Sequence, residues 1–145
     1  MDKMGGRDSF RIHRKAGLMT NTVLIVEDDG PTCALWKRHL EYQGWRVQIV
    51  DNADEAEMAI DRHRPMAVVL DVMLADERSG WDLLAKWRAA SETRDLPIFV
   101  VSALDEPRRA YREGATGFML KPCSPNILVN RIAEKLTSAG YRRAV

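Results

Sequence analysis

Thr22-Val23-Leu24-Ile25-Val26-Glu27-Asp28-Asp29-Gly30-Pro31 is the stretch on which the fold turns. Its first five residues form a continuous apolar run, too short for a buried helix. Such a run suits a strand covered on both faces, as in a parallel sheet. Three carboxylates follow at its carboxyl end. Gly30-Pro31 then opens a helix, since proline in a first helical turn surrenders an N–H that has no partner there. Leu35, Trp36, Leu40 and Tyr42 supply that helix's apolar positions, and Gly44 ends it.

Working outward, the same alternation recurs to the end of the chain. Trp45–Val50 reads as a second strand and Ala53–His63 as a helix packing through Ala56, Met58, Ala59 and Ile60, stopped by Pro65. Met66–Leu70 is a third apolar strand ending in Asp71, followed by a polar loop and a helix of about Trp81–Ala90. Pro97–Val101, ending in Ser102, is the fourth strand, and Glu106–Glu113 a short helix closed by Gly114. Gly117–Leu120 is the fifth strand and ends in Lys121-Pro122. Ser124 and Pro125 begin a last helix with Ile127, Leu128, Ile132 and Leu136 along one side. Five apolar strands alternating with five helices predict an α/β, doubly wound parallel sheet with right-handed crossovers.

The composition agrees. The chain has 145 residues, 46% apolar and 30% charged, which is one ordinary globular domain and too apolar for a disordered chain. Cys33 and Cys123 are too few and too far apart for a disulfide framework or a zinc site. They read as free thiols in a reducing compartment. The amino terminus lacks a secretion signal's apolar region and no run is long enough to span a membrane. A cytoplasmic protein is expected, without membrane contact. The net charge of +1 divides unevenly, with +3 in residues 1–20 and −2 in the rest. Residues 1–20, with Lys3, Arg7, Arg11, Arg14 and Lys15 and no apolar period, read as a basic flexible tail, and Met19 as a possible alternative start. Residues 21–140 form the domain and 141–145 a second tail. No basic face large enough for direct DNA binding is expected. His13, His39 and His63 show no metal spacing, and the four tryptophans read as core.

Sites in open α/β sheets form beyond the carboxyl ends of the strands. Those ends deliver Glu27, Asp28 and Asp29, then Asp71, Ser102 and Lys121. Singly, each has an ordinary reading: an acidic pair in a solvated turn, a lone Asp capping a helix, a Lys-Pro turn. Together they put carboxylates, a hydroxyl and an ammonium on one edge of the sheet. Clustered carboxylates repel one another and call for a cation, and an all-oxygen set suits Mg²⁺. An Asp beside such an ion and a Lys can take up a phosphoryl group as an aspartyl phosphate.

Val26-Glu27-Asp28-Asp29, Val69-Leu70-Asp71-Val72-Met73-Leu74, Val101-Ser102-Ala103 and Gly114-Ala115-Thr116-Gly117-Phe118-Met119-Leu120-Lys121-Pro122 together resemble the receiver domain of bacterial response regulators, over about residues 22–136. The resemblance implies a flavodoxin-like sheet in the order 2-1-3-4-5. It makes Asp71 the phosphoacceptor, with Lys121 and Ser102 as its catalytic companions. Glu27, Asp28, Asp71 and the backbone carbonyl of Met73 would hold Mg²⁺ or Mn²⁺, and Asp29 would be structural. Ser102 and Phe118 would be the switch pair, and the Lys121–Pro122 bond cis. The implied partners are a sensor histidine kinase or phosphotransfer protein and a downstream protein effector. A homodimer through the fourth helix, fifth strand and fifth helix is a further possibility. A chain filled by one receiver is expected to be read out by another protein.

Three departures from the family pattern stand out. Ala75 replaces a usual proline, and the following glycine comes one residue late, at Gly80, after the charged Asp76, Glu77 and Arg78. The stretch from Ser102 to Lys121 is about one helical turn short, a turn being ~3.6 residues. Met73 and Leu104 stand where polar residues often guide the water that hydrolyses the phosphoaspartate, so slow self-dephosphorylation is expected. Two alternatives remain at this point. One is an aspartate phosphatase of the haloacid dehalogenase type, whose nucleophile position here holds Glu27. The other is a receiver fold used only for docking or dimerisation.

Overall fold

Thr22–Val26 (β1) is a strand with every residue buried. It takes an interior place, second from one edge, in a five-stranded parallel sheet. The computed structural model describes residues 13–14, 17–18, 20–74 and 79–138. The other strands are Arg46–Val50 (β2), Ala67–Asp71 (β3), Ile98–Ser102 (β4) and Gly117–Leu120 (β5), and the helices Gly30–Tyr42 (α1), Ala53–His63 (α2), Gly80–Ala89 (α3), Pro107–Arg112 (α4) and Pro125–Ser138 (α5). The sheet order is β2-β1-β3-β4-β5, the doubly wound 2-1-3-4-5 arrangement that the resemblance implies.

Side chains alternate across the sheet and divide the core in two. Val23, Ile25, Val69 and Val101 face α1 and α5, where Trp36, Leu40, Leu128, Ile132 and Leu136 cover them. Leu24, Val26, Val68, Leu70 and Val100 face α2, α3 and α4, against Ala56, Ile60, Leu84, Trp87 and Phe118. All four tryptophans are buried. Three of the central strands have both neighbours and both covers, which is why their sequences are apolar without alternation.

The caps are local. Asp29 accepts from the Thr32 N–H at the start of α1, and Asn52 from the Glu55 N–H at the start of α2. Ser79 and Asp82 form a reciprocal capping box on α3. Four residues expected to pack do not. Leu35, Tyr42, Met58 and Ile127 are exposed. On α1 the buried stripe runs Cys33–Trp36–Leu40, and on α2 it runs Ala53–Ala56–Ala59–Ile60. At about 100° of turn per residue, all four side chains point to the side of their helix turned away from its buried stripe.

The expected basic tail falls largely outside the described residues. Within it, His13–Arg14 pairs antiparallel with Gly17–Leu18. The charged loop residues 75–78 and the second tail at 141–145 lie outside the description as well. No helix among the described residues is long and apolar enough to cross a membrane.

Candidate functional site at the carboxyl edge of the sheet

Four strands lead into the groups singled out from the sequence. Asp71 is the last residue of β3, paired in register with Val101 of β4, and Ser102 is the last of β4. Glu27 follows β1 directly, tied to the sheet by its N–H to the Val50 carbonyl at 3.0 Å. Glu27, Asp71 and Ser102 are buried, whereas Asp28 is exposed. Lys121 follows β5 and is held by its N–H to the Ser102 carbonyl at 2.8 Å, just before a cis bond to Pro122.

Lys121 reaches back across the sheet edge. Its Nζ lies 2.6 Å from Glu27 Oε1 and 3.3 Å from Asp71 Oδ2. The other oxygens are occupied by backbone donors. Asp28 and Asp29 each donate an N–H to Glu27 Oε2 at 3.1 Å, and Met73 donates its N–H to Asp71 Oδ1 at 2.9 Å. The Ser102 hydroxyl accepts from the Leu104 N–H at 3.0 Å. Asp29 turns away from the cluster to cap α1, bonded by both the N–H and the hydroxyl of Thr32. It is a structural residue, as expected, and those two donors lower its pKa.

Burial raises the Glu27 carboxyl above the ordinary carboxylate value, and the charge of Asp71 adds to the effect, while the Lys121 ammonium opposes both. Burial also works against the Lys121 charge, but Glu27 and Asp71 outweigh it and hold the proton above the usual lysine value. Among the described residues, carboxylate oxygens of Glu27, Asp28 and Asp71 lie within 4.8 Å of one another, a set that could hold a metal ion. Three hard anionic ligands around so small a space, with one ammonium between them, fit a divalent oxygen-seeking cation.

The cleft takes in residues the sequence did not single out as neighbours of the site. Thr32, Leu35 and Cys123 line it beside Asp71 and Lys121. Thr32 was accessible to sequence reasoning, since a hydroxyl residue three positions after an Asp at a helix start is a capping pattern. Gly80 also belongs to the site. A Cβ there would come within 2.5 Å of the Asp71 carbonyl oxygen and of Val72 Cα, so α3 begins in contact with the backbone that carries Asp71.

The family model "Response regulator receiver domain" matches residues 23–133. The chain belongs to the response regulator receiver family. Receiver domains are regulatory, phospho-accepting domains of two-component signalling. They accept a phosphoryl group on an aspartate, bind Mg²⁺ in an acidic pocket and interact with histidine kinases and effectors. TcrX of Mycobacterium tuberculosis is 36% identical over 130 residues, which cover 88% of this chain and 54% of TcrX. The chain spans about half the length of the first curated relatives it matches. The CheY-like receiver domain protein of Methanospirillum hungatei superposes with a TM-score of 0.73 at 26% identity, covering 81% of this receiver and 94% of that chain. The BeF3-activated receiver domain of Klebsiella pneumoniae RstA gives 0.70 at 27% identity, covering 79% and 97%.

Proposed function

We propose that this receiver takes a phosphoryl group onto Asp71 from the phosphohistidine of a sensor histidine kinase or phosphotransfer protein and passes the change on through protein contacts in the cytoplasm. The observation that carries the reading is the placement of Lys121, whose ammonium lies between Glu27 and Asp71 at the strand ends. An Asp71 oxygen forms a bond to phosphorus as the phosphorus–nitrogen bond of the donor breaks, and the bonding pair returns to the imidazole. Lys121 offsets charge on the phosphoryl oxygens, and the Ser102 hydroxyl donates to one of them. Glu27, Asp28, Asp71 and the Met73 carbonyl would hold Mg²⁺ or Mn²⁺, which when bound supplies further neutralisation of those oxygens.

To donate to a phosphoryl oxygen, Ser102 Oγ turns away from the Leu104 N–H that it accepts from at rest. Phe118, buried on the face that carries α4, then has space to follow. It has no hydroxyl, so its part in the switch is packing alone. The output surface is the region of α4, β5 and α5, which also serves for a homodimer, and the effector is a protein.

The phosphatase alternative needs a free nucleophile at Glu27. That carboxylate accepts two backbone N–H bonds and lies 2.6 Å from Lys121 Nζ, whereas Asp71 accepts one and lies 3.3 Å from it. Asp71 is the less encumbered of the two, which supports the receiver reading. Incubation with Mg²⁺ and acetyl phosphate followed by intact mass is the test. A single phosphate adduct is expected, lost in Asp71→Asn. Absence of an adduct with every small donor would leave only the docking module. Phosphate release from a phosphomonoester that depends on Glu27 would favour the phosphatase.

A further inference from the structure

Two sets of contacts leave the phosphoacceptor and meet 4.2 Å apart. The first runs through α3: Gly80 abuts the Asp71 carbonyl, donates its N–H to the Val72 carbonyl at 3.1 Å, and is followed by Trp81, buried at the start of the helix. The second runs through the loop after β4. Ser102 Oγ accepts from the Leu104 N–H, and the Leu104 carbonyl accepts from the Glu106 N–H at 3.0 Å. The Glu106 carboxylate lies 3.7 Å from Arg109 on α4. The two routes close where the Arg109 guanidinium lies over the Trp81 ring, 4.2 Å from its centroid. Glu113 orients that guanidinium from the other side at 2.9 Å.

The far end of α4 is fastened separately. Arg88 of α3 donates to the Gly114 carbonyl at 2.7 Å and to Thr116 Oγ1 at 3.3 Å. Gly114 has φ +103°, and a Cβ there would meet the Arg88 side chain at 2.9 Å. With six residues, α4 is less than two turns long. A helix so short, pinned at its carboxyl end, responds at its amino end, where Glu106 and Arg109 sit.

We propose that the stacking of Arg109 on Trp81 sets the resting position of the Ser102 loop and thereby tunes the affinity of the site for a phosphoryl group. Arg109 is a positioning residue: it acts through Glu106 and Trp81 and touches no reacting atom. The proposal rests on the phosphoacceptor reading of Asp71. When Ser102 Oγ turns towards a phosphoryl oxygen, it releases the Leu104 N–H, and the loop carries Glu106 and Arg109 off the indole face. The stack therefore opposes phosphoryl capture, and by reciprocity its removal favours capture. A contiguous chain of contacts demands evidence of coupling, so the test is a double-mutant cycle.

The probe is beryllofluoride, a phosphoryl stand-in, titrated calorimetrically into the full chain in excess Mg²⁺. R109Q is expected to bind it about two- to five-fold more tightly, the range for a partly exposed cation–aromatic contact. W81L is expected to tighten binding as well, and the double variant R109Q/W81L no more than the larger single effect. R109K, which keeps the charge but loses the planar stack, should fall between wild type and R109Q. Unchanged affinity in R109Q overturns the proposal, and this holds even if W81L does not fold. Effects that multiply in the double variant overturn it too, because they would show independent contributions. If wild type binds no beryllofluoride and acquires no acetyl phosphate adduct, the phosphoacceptor reading fails with it. An adduct on Asp71 together with an unaltered R109Q removes the stack alone.

Discussion

The residues that hold the site together are also those that govern water beside it. Met73 and Leu104 are half exposed, and each is fixed by its own N–H to a reacting side chain, Met73 to Asp71 Oδ1 and Leu104 to Ser102 Oγ. Their backbones thus flank Asp71, the proposed phosphoacceptor, while their side chains offer no polar atom to orient a water for attack on an acyl phosphate there. Positioning of such a water through a side chain contributes typically ~10²–10⁴-fold in general acid–base catalysis, and a single added polar group over an open cleft falls short of that range. Met73→Asn and Leu104→Glu are each expected to shorten the half-life of the phosphorylated protein, by up to about ten-fold, in Mg²⁺ at constant pH. The decay of the adduct by intact mass reads it, and half-lives equal to wild type in both variants would count against shielding. Lys121, by contrast, is not replaceable in this way. Its charge compensates two buried carboxylates at once, so removing it leaves both without a cation, a loss that costs far more than an exposed pair would.

At the scale of elements, the start of α3 carries the tightest constraint. Gly80 leaves no room for a Cβ beside the Asp71 carbonyl and Val72 Cα, and both are backbone atoms that cannot step aside as a flexible side chain would. Gly80→Ala is expected to cost about 1–3 kcal/mol, the usual range for overpacking a filled site, and to slow phosphorylation because β3 must yield where it presents Asp71. Chemical denaturation checks the first, and a melt equal to wild type would refute it. β1, β3 and β4 were legible in the sequence because burial on both faces leaves apolar residues, and the carboxylates, the hydroxyl and the ammonium of the site were legible because each stands where a strand ends. The helices were legible in place but not in facing. Tyr42 and Ile127 are exposed on the sides of α1 and α5 away from the buried stripes. Their apolar character suggested packing where their helical angle does not allow it, and single apolar side chains on a surface are ordinary. The short α4 could be counted from Ser102 to Lys121. Its attachment to α3 could not, since Arg109 meets Trp81 across 28 positions of sequence and no local pattern encodes such a pair.

For the whole molecule, folding gathers Glu27, Asp28 and Asp71 at one edge of the sheet with Lys121 alone between them, so the native state carries an anionic concentration that the unfolded chain does not. Glu27 bears this cost, its pKa raised by burial and by Asp71. The sign follows from linkage. A carboxyl whose folded pKa lies above its unfolded value binds its proton more tightly in the native state, so its contribution to stability is present below the ordinary carboxylate value and is lost as the pH rises through the raised one. A divalent cation that binds the ionised carboxylates of the native state alone reverses that trend, stabilising by mass action in proportion to their ionisation. The melting temperature in chelator is therefore expected to fall from about pH 5 to about pH 8 by more in wild type than in Glu27→Gln. Millimolar Mg²⁺ is expected to raise the wild-type melting temperature more at the higher pH than at the lower. Glu27→Gln has no carboxylate to ionise, so its Mg²⁺ gain should be smaller and should vary less between the two pH values. Equal Mg²⁺ gains at both pH values in wild type would mean that Glu27 does not sense the ion and would leave Asp28 and Asp71 as its carboxylate ligands. A gain confined to wild type at the higher pH would place the deprotonated Glu27 in the same linked equilibrium as the bound cation.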